Sequence, residues 1–161
     1  MPSPEIQLLL DVIDQAYNRK SWHGTNLRGS LRNVTAEEAA WRPEPSRHNI
    51  WELTVHAAYW KYVVHRRLAE QPIGSFALKG SNWLSRPQDG ATESAWKKDV
   101  AVLDEIHRSL RAAIAQLTPK GLSHTPAGSK VSNRVLLTGI AAHDLYHAGQ
   151  IQLLKRFARR G

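Results

Sequence analysis

His143-Asp144-Leu145-Tyr146-His147-Ala148-Gly149-Gln150-Ile151 is the stretch on which the reading of this chain turns. Residues four apart on an α-helix lie one above the other, so His143 and His147 share a face. The same face continues through Leu136, Ile140, Ile151 and Leu154. Two imidazoles therefore stand on an apolar stripe that points into a core. A buried polar group without a partner costs about 1–3 kcal/mol, so each ring needs one there. One divalent ion would serve both, since neutral imidazole is a common ligand for zinc, nickel, copper and iron. A backbone carbonyl for each ring would also serve, and spacing alone leaves both readings open.

Outward from this stretch, three more segments carry amphipathic helical spacing, and none gives a convincing period-two strand. Ser132 is expected to cap the helix that holds the two histidines. Before it, Trp96, Val100, Leu103, His107, Leu110, Ile114 and Leu117 repeat at intervals of three and four, which predicts a helix over 92–117. Thr118-Pro119 and Gly121 stop it, and 120–131 reads as a loop. Another helix is predicted from Asn49, capped reciprocally with Glu52, to about Glu70; it is apolar on more than one stripe and so central. The first helix, over 4–18, has Ser3 as N-cap and proline at its first position. Thr35 and Glu38 form a capping box for a shorter piece. The segment 71–91 is long for a bundle connection, and Phe76 and Trp83 would anchor it as a packed flap. The expectation is an all-α, single-domain four-helix bundle over 1–161.

Composition narrows the chemistry. The chain has 161 residues, with 42% hydrophobic and 22% charged, as in ordinary globular proteins. It has no cysteine, which removes disulfides, thiolate ligands and cysteine nucleophiles. Nothing reads as a leader or a membrane span, so the expected location is cytoplasmic. The net charge of +8 could favour an anionic partner. Part of it, however, is Lys155, Arg156, Arg159 and Arg160, which complement the negative end of the last helix as a solvated tail. Nucleic acid is therefore not the expected partner.

A third imidazole, His56, lies between Leu53 and Trp60 on the inner part of the second long helix, although spacing does not single it out among eight histidines. The stretch His48-Asn49-Ile50-Trp51-Glu52-Leu53-Thr54-Val55-His56-Ala57-Ala58-Tyr59-Trp60, taken with 143–151, resembles the DinB-like (YfiT-type) superfamily. Ser21-Trp22-His23-Gly24 and Ala39-Ala40-Trp41-Arg42-Pro43 are similar to one branch of it. The resemblance implies a four-helix bundle of up-down-down-up topology with one divalent metal, nickel or zinc and alternatively iron or manganese. It implies His56, His143 and His147 as the ligands, and frequent homodimers. It also implies a metal-dependent enzyme, either an S-transferase using a low-molecular-weight thiol as cosubstrate or a hydrolase, on a small-molecule substrate. A non-catalytic metal-binding module is the competing expectation.

Three further residues are candidates near the site: Asp144 as support for a ligand, Gln150 as a donor facing the site, and His23 from the break after the first helix. Two have a plainer reading: a surface or interhelical ion pair for Asp144 and an exposed loop residue for His23. His107 is expected to be a core histidine, and Trp51 and Trp60 to be core rather than substrate platforms. Tyr59 and Tyr146 could offer hydroxyls but are expected to pack by the ring.

Overall fold

The computed structural model describes residues 1–69 and 71–160. Its elements in chain order are α1 (Pro4–Tyr17), α2 (Leu27–Ser30), α3 (Ala36–Ala40), α4 (Ile50–Leu68), α5 (Glu93–Ala115), α6 (Pro119–Ser123) and α7 (Asn133–Ala158). No strand occurs among the described residues. Glu70, the expected end of the second long helix, lies outside them.

Most helix starts follow their local chemistry. Ser3, Thr35, Asn49 and Thr92 each accept a hydrogen bond from a backbone N–H of the first turn. The Thr35–Glu38 capping box is complete. Two expectations need correction. Ser132 makes no side-chain capping bond. The Asn49 cap is one-sided, because the Glu52 carboxylate is drawn away to Arg42, His48 and the Arg86 N–H. The expected loop after α5 also contains the short α6. Thr118 caps it and Pro119 occupies its first turn, where the missing N–H costs nothing.

Side-chain pairings fix the direction of each long helix. Asp14 binds Arg111 and Tyr17 binds Asp104, so α1 runs antiparallel to α5. Trp51 donates to Asp99 at 2.7 Å near the starts of α4 and α5. Further on, Lys61 stands over the Tyr17 ring, which stacks on His107, so α4 and α5 run parallel. His56 meets His147 and Lys61 meets Asp144, so α7 runs against α4. This is the up-down-down-up bundle.

The core has two apolar clusters. One surrounds Trp51, Trp96 and Leu103, and the other Ile6, Ile114 and Leu137. Along α4 the change falls between Ala58 and Val64, along α5 between Leu103 and Leu110, and along α7 between Ala141 and Ala148. Those intervals hold Lys61, His107, and His143, Asp144 and His147. The chain thus crosses its core with one polar layer. The basic tail is not simply solvated: Lys155 bonds the Ser30 and Arg32 carbonyls, and Arg159 pairs with Glu38. No helix among the described residues is long and apolar enough to cross a membrane.

Candidate metal centre

The antiparallel α4–α7 contact brings His56, His143 and His147 together, with one ring nitrogen of each inside a 4.8 Å group. His143 Nε2 lies 3.2 Å from His56 Nε2 and 3.0 Å from His147 Nε2. His56 and His147 are buried at 5% and 4% exposure, and His143 is half-buried.

The outward nitrogens determine what the inward ones can do. His56 Nδ1 is 3.0 Å from the Asn82 carbonyl oxygen, which only accepts, so the proton of the neutral ring sits on Nδ1. His147 Nδ1 is 2.6 Å from Gln150 Oε1, with the same consequence. Both Nε2 atoms therefore present lone pairs to His143 Nε2. A proton on His143 Nε2 can point at only one of them, whereas one cation satisfies all three. Ligand–metal distances of about 2.0–2.1 Å at a tetrahedral angle put neighbouring nitrogens roughly 3.3 Å apart, close to the spacing present. The donor set fits a divalent transition metal.

Electrostatics agree. Burial lowers the pKa of His56 to about 4 and that of His143 to about 3, with the neighbouring histidines adding to both and Lys61 to the second. Burial likewise lowers His147, against the Gln150 hydrogen bond. All three rings are neutral near pH 7, as metal ligation requires.

Asn82 and Trp83 enter from the 71–91 segment. Asn82 has φ of 56°, a left-handed turn that aims its carbonyl at His56 while its side-chain oxygen accepts from Trp60 Nε1 at 2.9 Å. Trp83 lies flat between His56 and His48, with ring centroids 3.7 and 3.6 Å away. The flap reading was right about anchoring and missed this contact. A tryptophan amid glycines and prolines marked the anchor; nothing local marked Asn82.

The other sequence candidates separate. Gln150 lies against the site, where its Oε1 accepts from His147 Nδ1. Asp144 makes an interhelical ion pair, buried instead of on the surface, with Lys61 Nζ 2.5 Å from Oδ2. Burial raises its pKa to about 6 against the pull of Lys61. His23 is exposed and contacts Ser21 Oγ, outside the three-histidine group. His107 is buried and stacked on Tyr17, as a core histidine, although its Nδ1 has no partner among the described residues. Trp51 is fully buried, while Trp60 is half-buried beside the flap. Tyr146 is 66% exposed and offers its ring to His147.

Comparison with known proteins adds one match. A family model of the DinB superfamily covers residues 20–151, most of the chain. No curated protein and no solved structure matches it.

Proposed function

The chain belongs to the DinB superfamily, and from that premise we propose that it is a metal-dependent enzyme whose ion is held by His56, His143 and His147. The convergence of three Nε2 atoms, two of them turned inward by Asn82 and Gln150, carries this reading. Nickel or zinc suits three imidazoles best, with iron and manganese as alternatives. Bound there, such an ion supplies Lewis acidity for polarising water or a thiol.

The chain's own residues do the rest. The Asn82 carbonyl and Gln150 hold two ligand rings in one tautomer, and Trp83 covers the face of His56. Three neutral ligands leave the ion's charge uncompensated, which suits an anionic thiolate as incoming group. With no cysteine in the chain, that thiol arrives as a low-molecular-weight cosubstrate. S-transfer to a small-molecule electrophile is the reading we favour, and metal-assisted hydrolysis the second. The exposed face of α7 from Val135 through Thr138 to Ala142 carries no charge, which fits a homodimer. A cytoplasmic, single-domain protein completes the proposal.

Metal analysis by mass spectrometry of untagged protein, beside His56→Ala and His143→Ala, tests it. About one ion per chain, lost in both variants while helical circular dichroism persists, is expected. Turnover of thiol and electrophile pairs by loaded protein then separates an enzyme from a metal-binding module. Wild-type protein that stays metal-free after reconstitution overturns the proposal.

A further inference from the structure

Against His147 lies a cavity of about 480 Å³, of the size that takes small molecules. Leu53, Leu153, Leu154 and Phe157 wall it, and the rings of Trp83 and Tyr146 flank it. His147 and Gln150 are part of its lining, so it borders one member of the three-histidine group. Its charged side chains are of opposite sign and lie at the solvent: Arg47 faces Glu44 at 3.6 Å with both largely exposed, while His48 contacts Glu52 at 3.0 Å. With one guanidinium and one carboxylate facing each other, Arg47 and Glu44 give this wall no cluster of like charge to select a phosphorylated or multiply charged ligand. An aryl or branched alkyl body would instead bury apolar surface against four aliphatic or aromatic side chains and stack on Trp83 or Tyr146.

We infer that this cavity binds the uncharged, apolar body of the substrate and directs its polar, reacting end at His147 and the ion beside it. The inference rests on the proposed metal-dependent reading, which it deepens by naming the substrate class. The occupant is a small molecule rather than a protein segment because the cavity is of small-molecule size and one of the ligand histidines, His147, lines it. Trp83 links the two features, since it borders the cavity and stacks on His56 with 5° between the rings. Specificity on this view comes from the C-terminal turns of α7 and not from the metal ligands.

The test uses 2-naphthol, a neutral aryl probe without a strong metal-binding group, titrated calorimetrically into metal-free and metal-loaded protein. Saturable binding to both forms is expected. It should weaken at least tenfold in Leu154→Trp, which fills the cavity, and in Phe157→Arg, which charges its mouth. Phe157 is 44% exposed, so the second variant keeps the test sound if the first fails to fold. Metal content, read separately, should not change in either variant. With loaded protein, naphthohydroxamic acid should bind at least tenfold more tightly than acetohydroxamic acid, and Phe157→Arg should erase that difference. No saturable naphthol binding, or binding undiminished in both variants, overturns the cavity assignment while leaving the metal centre standing. Naphthol binding that merely dissociates a dimer also overturns it, because the apolar wall then belongs to a second copy. Naphthol binding by a chain that takes up no metal overturns the substrate assignment and marks the failure as that of the metal reading.

Discussion

Lys61 Nζ and Asp144 Oδ2 meet at 2.5 Å with both side chains wholly shut off from solvent, one residue beyond His143. Such a pair is costly to desolvate and more costly to break, because the remaining charge is left buried alone. Asp144→Ala should therefore destabilise the protein by about 3–5 kcal/mol, whereas joint replacement by Lys61→Met and Asp144→Leu should be close to neutral. Urea denaturation of the two variants and the wild type checks this. Equal losses in the single and double variants would show that the pair is not the source.

Acid should weaken the metal-free protein through its buried histidines, in a range where Asp144, raised to about 6, is the one carboxylate shown to titrate as well. Burial lowers His107 and His143 to about 3 and His56 to about 4. Their unfolded counterparts bind a proton near pH 6.5. Below that pH the unfolded chain holds more protons than the folded one, so the stability these rings contribute, complete above about 6.5, is lost as pH falls toward 4 for His56 and toward 3 for His107 and His143. Each depressed ring adds a slope of about 1.4 kcal/mol per pH unit. His107 is remote from ligation, so His107→Gln should remove one such slope between pH 6 and 5 in either metal state. Denaturation curves at the two pH values give the measurement.

Gln150 touches His147 and no other titratable group of the cluster. Gln150→Leu removes the acceptor that keeps the His147 proton on Nδ1, and loss of such a partner typically weakens metal binding about 10–100-fold. Gln150→Glu retains an acceptor and should retain affinity. Competition with a calibrated chelator measures both, and unaltered affinity in the leucine variant would assign Gln150 to packing alone.

Much of this was legible in the chain, for reasons that differ by residue. The helices follow from apolar spacing and from capping at Ser3, Thr35, Asn49 and Thr92, all local properties. His143 and His147 were readable because four-residue spacing on a buried stripe is itself a geometric statement. His56 needed resemblance, since its partner His143 lies 87 residues away along the chain and no spacing rule reaches that far. Asn82 and Trp83 were out of reach as site residues because irregular backbone brings them to His56, and periodicity is silent on such segments. For Asp144 the sequence allows surface or interhelical pairing, and only the position of Lys61 on α4 decides that it is buried.

Glu52 ties that irregular segment to the bundle. Its carboxylate accepts from the Arg42 guanidinium at 2.5 and 2.8 Å, binds His48 Nδ1 at 3.0 Å and takes the Arg86 N–H at 3.2 Å. Burial alone would raise its pKa, but the Arg42 and His48 hydrogen bonds outweigh that and hold it down at about 2. His48 in turn supports Trp83, and Arg86 lies four residues beyond Asn82, so the contacts on His56 depend on a residue that never touches it. Glu52→Gln keeps the shape while removing the charge and one acceptor. It should cost about 1.5–3 kcal/mol, the range of a lost charged hydrogen bond. Because the folded pKa is depressed, that contribution is complete above about pH 4.5 and is lost only as pH falls toward 2. The variant should also speed amide exchange across 82–86 and weaken metal binding, although all three ligands remain in place. Exchange mass spectrometry together with chelator competition reads both effects. A variant that loses stability but exchanges slowly and binds metal normally would show that the flap holds Asn82 and Trp83 without help from Glu52.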